Sequence, residues 1–158
     1  MKILLAIDGS ACSDKALAEV AARPWPAGSE FKVVTAYELS LLPGPEAWAI
    51  SPDFCDQLDE VAQEQAKQAS DNARVKLSKA LGKSFAVTSQ IVAGSPKTAI
   101  LELAESWKAD LVVVGSHGYN AWERFLLGSV SQAIVSHAKC SVEVVRCQSA
   151  SIARTKVA

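Results

Sequence analysis

Short runs of branched aliphatic residues, each closed by glycine, serine, aspartate or proline, alternate along this chain with stretches whose apolar residues recur every three or four positions. The two periods belong to different elements: a helix buries one stripe, whereas a strand covered on both faces buries consecutive residues. Strands are expected at Lys2 to Ile7, Phe31 to Tyr37, Phe85 to Val92, Leu111 to Gly115 and Val142 to Arg146. Helices are expected over Ser13 to Ala22, Pro52 to Leu81, Pro96 to Trp107 and Ser129 to His137. The punctuation agrees, with Ser95 as N-cap ahead of Pro96 at the first helical position and Gly82 closing the long helix after Leu81. Such alternation is satisfied by right-handed βαβ units. The expected fold is therefore α/β, a single doubly wound five-stranded parallel sheet of order 3-2-1-4-5 with helices on both faces.

A length of 158 residues fits one domain, which needs no disulfide to build its core. We place the domain at 1–147 and read 148–158, where the apolar pattern fades, as a flexible tail. Glu38 to Ser51 reads as a long loop, with Pro43 and Pro45 inside it and Pro52 just beyond. It either overhangs a ligand or is a surface excursion with Trp48 packed back on the body. The four cysteines, Cys12, Cys55, Cys140 and Cys147, contain no C-x-x-C pair, and with two histidines they form no zinc-like cluster. They read as reduced thiols, mostly structural. A net charge of -1 gives no basic footprint for nucleic acid. The apolar run Ile3 to Ile7 stops at Asp8, too short for a membrane span or a signal-peptide core. The expected protein is soluble and cytoplasmic, beginning at Met1, with neither nucleic acid nor membrane as partner.

The chemistry concentrates in Gly115-Ser116-His117-Gly118, Tyr119 to Leu127 and Gly128-Ser129-Val130-Ser131. Leu111 to Val114 deliver Gly115 at the carboxyl end of a strand, and Gly128-Ser129 opens a helix, so backbone amides and the helix dipole face one crevice. Gly115 and Gly118 remove Cβ atoms where the chain must turn or approach a ligand, and Ser129 and Ser131 bring hydroxyls beside the helix-start amides. The arrangement is a phosphate cradle; its plainer alternative is a pair of turn glycines. Neither G-x-x-x-x-G-K-[ST] nor G-x-G-x-x-G after the first strand is present, which weakens P-loop and dinucleotide readings.

Asp8-Gly9-Ser10 ends the first strand. In a sheet of order 3-2-1-4-5 the connections reverse direction between the first and fourth strands, and ligands settle in the crevice above that point. Asp8 then converges on Gly115. Its carboxylate can accept from a ribose or base, hold magnesium through water, or simply cap a helix and brace the turn.

Ile3 to Ser10, Gly94-Ser95-Pro96 and Ala109 to Gly118, together with Leu127 to Ser131, resemble the universal stress protein family over nearly the whole chain. In that family a G-x2-G-x9-G-[S/T] signature marks the members that bind ATP, and Gly115, Gly118, Gly128 and Ser129 satisfy it. The resemblance implies a Rossmann-like fold of the adenine nucleotide alpha hydrolase type. It also implies that Asp8 contacts adenosine, that Ala36 lies against the base, and that Ala6 and Ile7 lead into the pocket. Val114 and Gly115 would pass under the ribose, with Gly118, Gly128, Ser129, Val130 and Ser131 around the phosphates and Ser10 near a metal-bound phosphate. Arg124 and His117 are less certain additions, each as compatible with a solvated side chain. The cofactor implied is ATP, or ADP or AMP, with magnesium as an optional companion. The family usually dimerises through its last strand, so Val142 and Val144 are interface candidates; here Cys140-Ser141 replaces the common Cys-Pro, and Glu143 interrupts the valines.

No catalytic set is evident. Gly115 to Gly118 is not a G-x-S-x-G elbow, and phosphoryl transfer lacks an evident base or Walker lysine. The expected role is a nucleotide-binding regulatory dimer acting in stress response; the alternatives are a slow magnesium-dependent ATPase and an interaction module without nucleotide. Trp122, inside the cradle loop, would serve as a fluorescent reporter.

Overall fold

Residues 1–38, 52–118 and 127–147 are described by a computed structural model. Nine elements alternate as β1 (Lys2–Ala6), α1 (Ala11–Ala22), β2 (Glu30–Tyr37), α2 (Pro52–Leu81), β3 (Ala86–Ala93), α3 (Pro96–Ser106), β4 (Leu111–Gly115), α4 (Ser129–His137) and β5 (Ser141–Val145). All five strands are parallel in the order β3-β2-β1-β4-β5. Every expected strand and helix is present, displaced at its ends by at most two residues. Trp48, Trp122, Arg124 and the tail 148–158 lie outside the described residues. Among the described residues no helix is long and apolar enough to cross a membrane.

The strand sequences are apolar on both faces because both faces are covered. Ile3, Leu5 and Ile7 of the first strand segment, with Phe31, Val33, Leu111 and Val113, pack beneath Ala16, Leu17 and Val20 of α1 and Ala73 and Leu77 of α2. Leu4, Ala6, Val34, Val112 and Val114 point the other way, against Ile100 and Ala104 of α3 and Ile134 of α4. Alternate residues thus serve two separate cores, which is what a doubly wound sheet requires. Gly82 ends α2 with φ +77, a conformation that disfavours any side chain, and its amide donates to the Ser78 carbonyl at 3.0 Å.

Three expectations need correction. Ser95 holds the position before Pro96, but its side chain makes no capping hydrogen bond. Helix α1 begins at Ala11, two residues before the expected Ser13, because Ser10 is its N-cap and accepts from the Ser13 amide at 3.2 Å. The cysteines are not all reduced: Cys12 is disulfide-bonded to Cys147, while Cys55 and Cys140 are free. Burial, and then the Asp110 carboxylate, push the Cys140 thiol above its ordinary range. Glu143 also finds a use inside the chain, since Arg23 at the end of α1 donates to both of its carboxylate oxygens. The charge among the valines of β5 therefore anchors that strand to α1.

Phe31 is 1% exposed and meets Trp25 and Phe85 edge-on at ring-centroid distances of 5.5 and 5.7 Å. Phe31→Ala opens a cavity under both α1 and α2. We expect a loss of about 3–5 kcal/mol of unfolding free energy, measured by urea titration followed by circular dichroism.

Candidate functional site

Strand β1 pairs with β2 on one side and β4 on the other, with Leu5 opposite both Val33 and Val113. The chain leaves β1 toward α1 and leaves β4 toward α4 on opposite faces of the sheet, so the connections part above this point. A cavity of about 370 Å³ opens there. Its apolar wall is Ala6, Ile7, Ala36, Ile100, Val114 and Val130, and its polar rim includes Asp8, Ser129 and His117. Ala6 and Ala36 occupy the ends of β1 and β2 on the α3/α4 face; their small side chains leave the space unfilled. Pro96 and Ile100, one turn apart on α3, complete the wall.

Of the residues that the sequence assigned to the site, only Ser10 does not line the cavity. It is buried, and its hydroxyl is committed to capping α1, with a long contact of 3.5 Å to the His117 carbonyl. Asp8 braces the turn, as its spacing allowed: Oδ1 accepts from the Ser10 amide at 3.0 Å. The other oxygen faces Gly118, where a Cβ would stand 2.7 Å from Oδ2. Glycine at 118 therefore preserves the approach between the carboxylate and the loop. Gly115 has a firmer reason, because a Cβ there would meet the Cys12 backbone carbon at 2.8 Å.

Helix α4 starts with Gly128 at its N-cap, and no side chain caps it. Its first-turn amides, on Ser129, Val130 and Ser131, thus lie in the cavity wall without a capping side chain. The Ser131 hydroxyl is buried and lies within 3.0 Å of the Ser116 carbonyl and 2.9 Å of the Gly128 carbonyl. The Gly128 amide also donates to the Ser116 carbonyl, at 2.8 Å. These bonds pin the start of α4 to the end of β4.

Ser13, Pro96 and Ile100 line the cavity without having been assigned to it from sequence, and His117, named there as an addition, lines it too. Ser13 has its hydroxyl donating to the Ser10 carbonyl at 2.9 Å and accepting from the Asp8 amide at 3.4 Å. Its i+3 position from Ser10 was the available signal. His117 has Nδ1 at 3.1 Å from the Ser116 hydroxyl, and its buried Nε2 has no partner among the described residues. No cluster of three or more potential metal-ligating side chains occurs among the described residues.

Fold and cavity together define a doubly wound α/β domain of Rossmann-like type, with its crevice at the switch point. The universal stress protein family model matches residues 1–146, and the chain belongs to that family. A Staphylococcus aureus (strain USA300) protein bearing the universal stress protein name is 51% identical over 61 residues. That match covers 38% of this chain and only 37% of the relative's own length. Among solved structures, hypothetical protein MJ0577 is similar with a TM-score of 0.78 at 28% identity, over 93% of this chain and 96% of the other. A universal stress protein in complex with cAMP is similar with a TM-score of 0.64 at 25% identity, over 92% and 96%.

The two glycines make opposite predictions. Gly115→Ala drives a methyl group into the backbone of α1, and we expect it to cost about 1–3 kcal/mol. Among the described residues, Gly118→Ala meets a carboxylate that can swing aside, and we expect its melting temperature to stay near wild type. Thermal melts of both variants test the contrast.

Proposed function

We infer that the cavity binds an adenine nucleotide, ATP in the first place, and that the protein acts as a nucleotide-dependent regulatory dimer in a stress response. The observation that carries this reading is the meeting, in one cavity, of an apolar slot, a carboxylate oxygen and an uncapped helix N-terminus. Each suits one part of the ligand. Ala6, Ala36, Ile100 and Val114 would take the flat base, the free oxygen of Asp8 would accept from ribose hydroxyls, and the first-turn amides of α4 would receive phosphate oxygens. The glycines supply the close backbone approach, since a Cβ at Gly118 would fill the gap beside Asp8. The cAMP complex of a universal stress protein supports the adenine part of the assignment.

Among the described residues, the lining includes no lysine or arginine. Phosphate charge would then be met by the dipole and amides of α4, with magnesium as an accompanying ion and Asp8 near enough to hold its water shell. A bound nucleotide would be held by the end of β4 and the start of α4, its phosphates met by the first-turn amides. This chain's own residues orient and enclose it. Binding without rapid turnover is the reading this set supports, because the described lining holds no lysine or arginine to offset transition-state charge.

Titration calorimetry of nucleotide-stripped protein with ATP and magnesium tests the reading. We expect micromolar binding by wild type, and at least a tenfold loss in Asp8→Ala and in Gly118→Val, corresponding to about 1.4 kcal/mol or more. Absence of wild-type binding would refute it; steady release of phosphate over many turnovers would make the protein an ATPase instead.

The dimer would form through β5, whose outer edge has no partner strand among the described residues. Val142 and Val144 pack inward on the α3/α4 core, so pairing would rest on backbone groups of that edge. Sedimentation equilibrium should give twice the chain mass; a single-chain mass at tens of micromolar would remove the dimer from the proposal.

A further inference from the structure

Cys12 and Cys147 are joined across 135 residues of sequence, and Cys12 directly precedes Ser13, which lines the cavity. Cys12 is the second residue of α1, and its backbone touches the place where a Gly115 side chain would be. Cys147 lies two residues after Val145, whose carbonyl accepts from the Ser116 amide at 2.8 Å. The bond therefore ties three pieces together: the α1 start that carries the Asp8 turn, the end of β4, and the chain leaving β5.

The two sulfurs differ in access and in electrostatics. The Cys12 residue is 8% exposed, whereas Cys147 is only partly buried. Cys12 also stands at the positive end of α1, where a helix favours an anion. Asp14 in the same turn would oppose that, but it is paired with Lys76 at 3.5 Å. An attacking thiolate reaches Cys147 more readily, and the electron pair of the broken bond is best received by Cys12. Disulfides of this kind, accessible at one sulfur and with a stabilised leaving group at the other, are the exchangeable ones.

We propose that Cys12–Cys147 is a reversible redox modification site whose reaction partners are dithiols and disulfides, and that it governs the cavity wall formed by the start of α1. In reduction, one thiolate of a dithiol attacks Sγ of Cys147, the S–S bond breaks, and its electron pair leaves on Sγ of Cys12. The second thiol of the reductant then attacks its own sulfur in the mixed disulfide. Cys147 is released as a thiolate, and the reductant departs oxidised by two electrons, its two protons passing to the cysteines. Oxidation runs the same steps backwards with a disulfide as acceptor. The effect on the cavity rests on the nucleotide reading above: once the bond opens, the first turn of α1 is no longer held covalently to the β5 end, and the Asp8 turn loses that support.

The test uses the full chain, with dithiothreitol and glutathione disulfide as probes. Native protein treated with dithiothreitol, at concentrations that leave its circular dichroism unchanged, should expose two more thiols to iodoacetamide than untreated protein. Glutathione disulfide should then close them again. A bond that opens only in denaturant, or thiols that no disulfide closes, would overturn the redox site. In Cys12→Ser, glutathione should attach to Cys147, while Cys12 in the Cys147→Ser variant should stay unmodified; the reverse pattern would overturn the assigned order of attack. ATP affinity of wild type should fall about fivefold or more on reduction, with that of Cys147→Ser unaffected by dithiothreitol. Equal affinity in both states would overturn the coupling to the cavity. If neither state binds ATP, the nucleotide reading fails and the coupling with it, while the thiol counts still decide whether the disulfide is exchangeable.

Discussion

Strand β1 is hydrogen-bonded to β2 on one edge and to β4 on the other, and this double pairing is the constraint on which the cavity depends. Register does the placing: with Leu5 opposite Val33 and Val113, the chain must leave the sheet at the level where β4 is about to end. Because the two exits lead to opposite faces, no helix can cover the gap between them. Ile3, Leu4 and Leu5 are at most 1% exposed, so a shift of one residue would exchange the side chains serving the two cores. The apolar packing that fixes the register thereby fixes the distance between Asp8 and the Gly115 loop.

Much of this architecture is legible in the sequence because each strand is a nearly continuous aliphatic run and each helix carries one apolar stripe. The cavity lining was legible for a related reason: Asp8, Gly115, Gly118 and Gly128 lie at element ends, where sequence punctuation and the crevice fall together. Their roles were less legible than their positions. Ser10 was expected near a metal-bound phosphate and Ser131 beside the phosphates; in the fold the Ser10 hydroxyl caps α1 and the Ser131 hydroxyl reaches backbone carbonyls. A short side chain beside a helix start satisfies the nearest backbone groups first, and which groups are nearest is decided by the fold.

The disulfide was not legible. Cys12 and Cys147 stand 135 positions apart, and nothing local links them; the pairing follows from β5 lying next to β4 and α1 packing over both. The role of Glu143 stayed open for the same reason. The partner that makes sense of it, Arg23, is distant in sequence. Contacts between chain ends are the class of fact that local periodicity cannot carry.

The Ser116 carbonyl has a disproportionate part in holding the site. It accepts from the Gly128 amide at 2.8 Å and from the Ser131 hydroxyl at 3.0 Å, so the two ends of the excursion between β4 and α4 are fastened at one oxygen. The Ser116 amide is itself bonded to the Val145 carbonyl, which carries the fastening into β5. With the ends fixed in this way, the α4 amides are held in place relative to Gly115. A glycine at 128 completes the device: a Cβ there would come within 3.2 Å of that same carbonyl oxygen and press apart the bond that closes the loop.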